Sequence, residues 1–388
     1  MHVLFAPDCF TGTLTARQAA EAMAQGWRRS APDDLLTLLP LSDGGPGFVD
    51  VIASALPGDT VVTTVSDPRG RPVPAAFLMT TGADGRRTAW IESAQAIGLH
   101  LLDAPERDPG VTTTTGLGEM LDAALAEGAT RIVVGLGGSG TNDAGAGMLA
   151  ALGVGDRAEL GAGGLRLTAI DDDALGGLAD LRARLAGIEI IAATDVDSPL
   201  LGLQGASAVF SAQKGASPET SQALEAALGR FVEVVGRTAP APSDLLTGRP
   251  RRLDKQPGAG AAGGVGYGLL VLGATTRSGV DLVLEACGAA DLVAAAELVV
   301  TGEGTFDWQS LQGKVVSGVA RLGLEHAVPT VIVAGQKSVG RRETMSLGVS
   351  GSYAVAETDE QVAAALADPV GTLAARTARV AATWSPRR

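Results

Sequence analysis

Short apolar runs alternate with amphipathic stretches at the start of the chain. Val3–Ala6 and Leu35–Leu41 predict two buried strands. Between them, the spacing of apolar positions predicts a helix from about Thr15 to Ser30, with Thr15 as its N-cap, and a second helix is expected from about Gly47 to Leu56. The chain therefore begins with a βαβα arrangement.

The same alternation returns near the other end. Glu297–Gly304, Pro329–Gln336 and Gly351–Glu357 predict three more short buried strands, with a helix from about Gly313 to Leu324 and a terminal helix rich in Ala and Arg. Five such strands with intervening helices favour an α/β fold, a flavodoxin-like doubly wound parallel sheet.

A long segment separates the second and third of these strands. It spans more than 200 residues, whereas a crossover between parallel strands needs only about a dozen. We therefore expect a second α/β domain to be inserted there. The predicted division is residues 1–58 and 278–388 for the discontinuous flavodoxin-like domain and 59–277 for the inserted domain.

The inserted segment has its own strand pattern. Strands are expected at Thr60–Val65, Arg87–Glu92, Arg131–Gly135 and Glu189–Thr194, separated by glycine-rich stretches. Residues Thr238–Pro257, rich in Pro, Arg and Asp, predict an exposed loop.

Composition narrows the class of protein. The 388 residues are 46% hydrophobic but only 3% aromatic, so the cores must be built from Ala, Val, Leu and Ile. The net charge of -13 argues against binding to nucleic acid or to an anionic membrane. Because no signal-peptide pattern and no apolar run of about 18 residues occurs, a cytoplasmic location is expected. Cys9 and Cys287 are too few for a disulfide framework, and neither has zinc-site spacing.

The basic and histidine residues restrict the chemistry. None of the three histidines lies in an HExxH motif or near a GxSxG serine, so acid–base work falls to carboxylates. Lysine is scarce beside arginine, which suggests that some lysines are kept where a compact ammonium is needed. The four are Lys214, Lys255, Lys314 and Lys337.

Four glycine-bearing loops leave predicted strands at one edge of the sheet. They are residues Asp8–Thr13, Ser42–Gly45, Thr301–Asp307 and Ala334–Lys337, and the first three carry acids. Ligands of open parallel sheets bind beyond the carboxyl ends of the strands. An acid beside a glycine also describes an ordinary turn, but four such loops at one edge favour a metal–nucleotide site.

A glycine-rich turn follows the predicted strand that ends at Gly135. Backbone N–H groups at such a turn can hold an oxyanion. Gly135, Gly137 and Gly140 also match GxGxxG, which leaves a nicotinamide-dependent dehydrogenase as an alternative. The acids about 20 residues on, Asp156 and Glu159, follow no clear second strand, however, as a dinucleotide site would require.

Two other segments bear on catalysis. Gly313 and Lys314 are followed by Val315, and no Walker A motif exists, so a kinase of this sequence is not a P-loop kinase. Asp195 and Asp197 follow a predicted strand; either could face a ligand, or both could cap a turn.

Seven ordered segments together resemble the bacterial glycerate kinase family that forms 2-phosphoglycerate. They are residues 6–16, 41–47, 134–148, 193–202, 205–217, 258–269 and 301–314. The resemblance implies a flavodoxin-like domain made from both chain ends, an inserted α/β domain and an active site in the cleft between them. It also implies ATP-dependent phosphorylation of D-glycerate at the 2-hydroxyl, with Mg²⁺ as cofactor.

The resemblance also implies roles for individual residues. Asp195 would be the base that faces the substrate hydroxyl, and Lys214 and Lys314 would neutralise the transferring phosphate. Metal candidates are Glu303, Asp307 and Asp43, with Asp8 serving either the metal or its loop. Candidates for binding substrate or phosphate are Gly137, Gly138, Ser139, Thr141 and Asn142.

Five positions depart from the family pattern. Members usually carry Lys, Glu, Thr, Arg and a small residue where this chain has, in order, Thr11, Pro46, Phe48, Thr305 and Trp308. Because we expect these positions near the cleft, a different small hydroxy acid stays open as the substrate, as does a non-catalytic ligand-binding relative. The phosphorylated position, the nucleotide preference and the oligomeric state stay open too, with a homodimer as one alternative.

Overall fold

The computed structural model describes residues 1–10, 12–239, 248, 251–311 and 313–385. Thr11, one of the departures from the family pattern, lies outside the described residues, as does half of the loop expected at Thr238–Pro257, namely residues 240–247, 249 and 250. No helix of the described part is long and apolar enough to cross a membrane.

The strands within this part are numbered in chain order. They are β1 His2–Phe5, β2 Leu35–Leu38, β3 Gly58–Ser66, β4 Pro72–Thr81, β5 Arg87–Glu92, β6 Arg131–Gly135, β7 Glu189–Ala193, β8 Thr275–Arg277, β9 Leu298–Thr301, β10 Thr305–Phe306, β11 Thr330–Ala334, β12 Gln336–Lys337 and β13 Gly351–Ala354.

The α-helices are numbered in the same way. They are α1 Ala16–Ser30, α2 Phe48–Ala55, α3 Ala94–Ile97, α4 Thr115–Ala126, α5 Ala146–Ala151, α6 Arg157–Leu160, α7 Leu178–Arg184, α8 Ala206–Phe210, α9 Pro218–Thr238, α10 Ala261–Val271, α11 Gly279–Ala286, α12 Ala289–Ala294, α13 Val315–Glu325, α14 Arg341–Ser346, α15 Asp359–Ala367 and α16 Pro369–Trp384. Short 3-10 helices occur at Leu99–Leu101, Ala104–Glu106, Gly164–Ala169, Ala212–Lys214, Leu253–Lys255 and Gln309–Leu311.

The first of two compact units contains both chain ends. It comprises Met1–Asp43, Asp50–Leu56 and Ser278–Arg388. Its main sheet has five parallel strands in the order β13-β11-β9-β1-β2. The expected five short strands are therefore present, and β1, β9 and β11 are buried almost throughout, as strands covered on both faces should be. The expectation that β2 is buried was wrong, because it lies at the edge of the sheet with Leu35 and Leu38 exposed.

The capping and packing of helix α1 can be traced to individual residues of its sequence. Thr15 caps it and forms a capping box with Gln18, as the sequence predicted for its N-terminus. The buried face places Trp27 against Phe5, with ring centroids 5.7 Å apart in an edge-to-face arrangement. Gly26 lies so close to α16 that a Cβ there would overlap the carbonyl oxygen of Ala374.

The second unit comprises Gly44–Val49 and Pro57–Arg277. Its six-stranded sheet has the order β3-β4-β5-β6-β7-β8; β3, β4 and β5 pair antiparallel, and β5 to β8 pair parallel. Four of these strands were predicted. Two strands were not predicted: β4, which carries Pro72 and Pro74 and lacks a clean apolar run at its start, and β8, which has only three residues.

Candidate active site

Three carboxylates of the first unit follow three neighbouring strands. Asp8 comes after β1, Asp43 after β2 and Glu303 after β9. The Asp8 amide donates to the Gly302 carbonyl at 2.8 Å, and the Leu41 amide donates to the Pro7 carbonyl at 3.0 Å. Backbone pairing therefore continues past the strand ends and brings the acid-bearing loops side by side, as the sequence predicted for this edge.

Burial and repulsion by neighbouring carboxylates change the pKa of Asp8. Its side chain is buried, and burial, followed by the negative charge of Asp43, raises its pKa well above the ordinary value. The charge of Glu303 acts in the same direction. The Cys9 amide, which donates to Asp8 Oδ1 at 2.7 Å, opposes the shift. The cluster thus concentrates negative charge that a cation would relieve.

Glu303 is the second perturbed carboxyl of this cluster. It is 5% exposed, and burial raises its pKa to about 7, with smaller contributions from the charges of Asp307 and Asp43. Ser310 and Lys314 oppose the shift. Glu303 Oε1 is buried and has no hydrogen-bond partner among the described residues.

The carboxylates around Glu303 fit a magnesium ion that also binds phosphate and water. No group of three or more His, Cys, Asp or Glu side chains in the described part is placed to hold a metal by itself. Mg²⁺ in phosphoryl-transfer enzymes, however, takes one or two carboxylates and completes its shell with water and phosphate oxygens. The unsatisfied Glu303 Oε1, beside two further acids, fits that kind of ion.

Lys314 and Asp307 flank Glu303 in different ways. Lys314 Nζ lies 4.0 Å from Glu303 Oε2, and Lys314 occupies the N-cap position of α13. Asp307 Oδ1 accepts hydrogen bonds from the Gln309 amide at 2.8 Å and the Ser310 amide at 3.3 Å. One oxygen of Asp307 therefore caps the turn that follows β10, which makes it the weaker metal candidate.

The glycine-rich turn of the second unit follows β6. The Leu136 amide donates to the Ala193 carbonyl at 2.9 Å, so the ends of β6 and β7 stay paired as the turn begins. A Cβ at Gly137 would lie only 2.5 Å from Gly45 Cα, and Gly138 has a φ of 67°. Both positions therefore require glycine, and Gly138 is exposed.

Lys214 lies inside the second unit, at the end of a 3-10 turn. Its side chain is 2% exposed, and Nζ donates to Ser139 Oγ at 2.9 Å and to the Thr141 carbonyl at 2.7 Å. Burial lowers the pKa of Lys214 to about 7, against the opposing charge of Asp143. Two of the three N–H donors of this ammonium therefore bind the glycine-rich turn, and its role towards phosphate stays a prediction.

Thr141 and Asn142 are fully buried in the same turn. Asn142 Nδ2 donates to Ser207 Oγ at 3.0 Å. Within the described residues, Thr141 Oγ1 and Asn142 Oδ1 are buried without hydrogen-bond partners. Such atoms are rare in folded proteins and suggest that a ligand or water completes their bonding.

Asp195 lies in the loop after β7, and its side chain is half-buried. The loop begins with the Val196 amide donating to Thr194 Oγ1 at 3.2 Å. Asp197, the neighbouring candidate, is exposed. Because β6 and β7 are adjacent and parallel, Asp195 and the glycine-rich turn leave the same edge of this sheet.

Sequence reasoning did not single out Asp143. It is fully buried, and burial raises its pKa. Its carboxylate accepts hydrogen bonds from the Thr114 amide and hydroxyl at 2.8 and 3.0 Å and from the Gly145 amide at 3.0 Å. The signal available in the sequence was an acid directly after the polar residues of the turn, which also fits a simple helix cap.

The departures from the family pattern lie in different environments. Phe48 is fully buried, with its ring centroid 6.0 Å from that of Trp90, so it is a packing residue. Pro46 and Thr305 are exposed, and Trp308 is 61% exposed.

The structure removes the dinucleotide alternative. Asp156 caps α6, and Glu159 lies within that helix. The element before α6 is α5, not a second parallel strand. No strand end therefore places either acid where a ribose would need it.

Loops that carry acids, lysines and glycines at the carboxyl ends of parallel strands are typical of α/β enzymes. A family model described as the glycerate kinase family matches residues 3–385. The chain belongs to the glycerate kinase family and is a kinase.

Individual relatives agree with this assignment. An uncharacterised protein of Mycobacterium tuberculosis is 41% identical over 98% of this chain and 91% of its own length. A glycerate kinase of Bacillus subtilis is 39% identical over 92% of this chain and 90% of its own length, and the glycerate 2-kinase of Escherichia coli is 39% identical over 86% and 85%. A crystal structure of a Salmonella typhimurium LT2 protein assigned as glycerate kinase 2 superposes with a TM-score of 0.74 at 36% identity, covering 99% of this chain and 98% of that one.

Proposed function

We propose that this protein transfers the γ-phosphoryl group of ATP to the 2-hydroxyl of D-glycerate, giving 2-phosphoglycerate and ADP. The observation that carries the proposal is the buried, partly unsatisfied Glu303 beside Asp8, Asp43 and Lys314, in a chain that belongs to a kinase family. The 2-position is supported by the name of the Escherichia coli relative.

The acidic cluster of the first unit is the proposed site for Mg²⁺ and the nucleotide phosphates. Glu303 and Asp43 would hold the ion directly or through water, with Asp8 behind them and Asp307 contributing less because it caps a turn. Bound Mg²⁺ supplies neutralisation of the charge on the phosphates. The Lys314 ammonium, 4.0 Å from Glu303 Oε2, would add a positive charge at the same place.

The second unit is proposed to bind the hydroxy acid. Asp195 would accept the proton from the attacking hydroxyl, because it is a half-buried carboxylate at a strand end. Gly137, Gly138 and Ser139 would bind the acid or the transferred phosphate through backbone and hydroxyl donors. Thr141 and Asn142 support this assignment through their unpartnered buried oxygens.

Lys214 has a role in this proposal that differs from that of Lys314. Its ammonium is buried and bonded to Ser139 Oγ and to the Thr141 carbonyl. It would add positive potential to the acceptor site from within the protein, where low dielectric strengthens the effect.

The fold class and domain division extend the same proposal. Numbered along the first unit, its strands run in the order 2-1-3-4-5, which is the flavodoxin-like order of doubly wound sheets. We accordingly propose residues 1–58 and 278–388 as a flavodoxin-like domain and 59–277 as the inserted α/β domain.

A coupled ADP-release assay with Mg-ATP tests the function. Glycerate, tartronate, lactate and other small hydroxy acids would be compared, and ³¹P NMR of the product would locate the phosphate. Turnover of D-glycerate with a product carrying phosphate at the 2-position is the expected result. A different hydroxy acid is the second candidate substrate, because Thr305 and Trp308 depart from the family pattern and are exposed. Turnover of such an acid alone would make it the substrate in place of D-glycerate. No turnover of any acid would contradict the proposed function.

The base assignment has its own test. Asp195→Asn should reduce kcat by about 10²- to 10⁴-fold, the usual contribution of a general base. Asp197→Asn is the matched control, because it changes a neighbouring exposed carboxylate of the same loop and should leave kcat within about two-fold. Equal effects of the two substitutions would remove Asp195 from the mechanism.

A further inference from the structure

We propose that His100 binds the carboxylate of the hydroxy acid beside Ser139, through an imidazole N–H. The inference rests on the proposed function, which assigns Gly137, Gly138 and Ser139 to the acceptor site. It adds a side chain from a separate segment, the 3-10 helix Leu99–Leu101, and it names the group of the substrate that is held there.

Backbone pairing places Gly98 directly opposite Ser139 in an antiparallel bridge. The Leu99 amide donates to the Gly138 carbonyl at 2.8 Å, and the amide that follows Ser139 donates to the carbonyl that precedes Gly98 at 2.7 Å. Because these two bonds flank the bridge, Gly98 and Ser139 form the close, non-hydrogen-bonded kind of pair. Cβ positions of such a pair lie on the same face, about 4.5 to 5.5 Å apart.

The imidazole of His100 covers the face of Gly98 on which a side chain would stand. A Cβ at Gly98 would lie only 2.5 Å from both Nδ1 and Cε1 of His100. These ring atoms therefore lie on the Ser139 side of the bridge, within about 8 Å of Ser139 Cβ. His100 is exposed, and neither of its ring nitrogens has a hydrogen-bond partner within the described residues, so an imidazole N–H is available to a ligand.

Ser139 supplies a second available donor at this face. Its Oγ accepts from Lys214 Nζ at 2.9 Å, and its own hydroxyl hydrogen has no acceptor in the part of the chain that the structure describes. The amides of Gly138 and Ser139 also donate to no described residue. Donors without acceptors, beside a buried ammonium, favour a ligand that carries negative charge and several oxygens.

A carboxylate matches this set of donors. Its two oxygens can accept from the Ser139 hydroxyl and the His100 imidazole at the same time. The Pro46 ring, which a Cβ at Gly138 would meet at 2.9 Å, carries no charge and does not repel an anion there. In a 2-hydroxy acid the carboxylate is bonded to the carbon that bears the attacking hydroxyl, so holding the carboxylate also orients that hydroxyl.

The kinetic test compares the wild type with His100→Ala and His100→Gln. Loss of one hydrogen bond to a charged group should raise KM for D-glycerate about ten-fold in His100→Ala. KM for ATP should not change, and kcat should stay within about two-fold, because the contact is made equally in the ground state and the transition state. His100→Gln retains an N–H donor and should recover part of the affinity.

His326→Ala is the control for these variants. His326 is another exposed histidine, at the C-terminal end of α13 in the first unit, and its removal should leave KM for both substrates unchanged. An unchanged KM for D-glycerate in His100→Ala, or an equal rise in His326→Ala, would overturn the proposal.

A binding measurement separates this inference from the proposed function. The chain has three histidines, so ¹³C-histidine labelling gives three ring signals, and His100→Gln identifies one of them. D-glycerate without nucleotide should shift the His100 signal and leave the other two in place. A shift with inorganic phosphate but none with D-glycerate would overturn the assignment to the carboxylate, as would turnover of D-glycerate without any shift. A shift with D-glycerate in a protein that does not phosphorylate it would support the role of His100 and contradict only the proposed function.

Discussion

Burial brings ionisable side chains of both units close to neutral pKa values. Lys214 and Glu303 are opposite in charge, yet desolvation moves both pKa values to about 7, one downward and the other upward. Groups tuned in this way are typical of sites that handle charged substrates. The cost of keeping them falls on the stability of the protein.

Lys214 should make stability depend on pH. Its folded pKa of about 7 lies below the ordinary 10.5, so the unfolded chain binds more protons between these values. Stability should therefore rise as pH increases from about 7 to 10, by an amount on the order of 3 to 5 kcal/mol. Lys214→Met should remove most of this slope in urea unfolding curves recorded at several pH values. Lys255→Met, at an exposed position, is the control, and equal slopes in both variants would show that Lys214 is charged normally.

The Glu303 carboxylate should lower the free energy of unfolding when no ligand is bound. Its buried carboxylate is repelled by Asp43 and has an unsatisfied oxygen. Glu303→Gln should therefore raise stability at pH 8 by about 1 to 3 kcal/mol in the absence of Mg²⁺ and nucleotide, while reducing kcat at least 100-fold. Thermal unfolding of both proteins in a chelating buffer measures the first effect. A lower melting temperature for Glu303→Gln would mean that the carboxylate is structural.

At the scale of elements, the close contact between α1 and α16 should prevent substitution of Gly26 by a residue with a side chain. A Cβ there would overlap the Ala374 carbonyl, so Gly26→Ala should destabilise the protein by about 1 to 3 kcal/mol, despite alanine's higher helix propensity. Gly229→Ala in α9 is the matched control, because nothing lies within 4 Å of its added Cβ. That change should instead stabilise by about 0.5 to 1 kcal/mol. Similar effects of the two substitutions in urea unfolding would contradict this packing.

The strands and helices that could be predicted are those with a clear pattern in their own residues. Strands β1, β9 and β11 are covered on both faces, so short apolar runs revealed them, and Thr15 marked the start of α1. In the second unit, β4 begins with two prolines, and β8 is held by pairing with β7 over three residues. Neither β4 nor β8 can therefore be predicted from its own residues without knowledge of the strand with which it pairs.

Some residues of the candidate site could be predicted from the sequence, and others could not. Asp8, Asp43 and Glu303 could be grouped from sequence, because the ends of parallel strands meet at one edge. Asp143 could not, since its hydrogen-bond donor Thr114 lies 29 positions away in the chain. The packing of Phe48 against Trp90 could not be predicted either, because only the folded chain brings the two rings together.

At the scale of the whole molecule, the net charge of -13 opposes the approach of anionic substrates. At an ionic strength of about 10 mM the Debye length is about 30 Å, so the field of the entire molecule reaches an approaching anion; at 150 mM it is about 8 Å, and local lysines dominate. Salt should therefore raise kcat/KM for the hydroxy acid by about two- to five-fold over this range. Because kcat at saturation excludes the encounter step, it is the internal control and should stay constant. A steady fall of kcat/KM with salt would show instead that local positive charge already steers the substrate at long range.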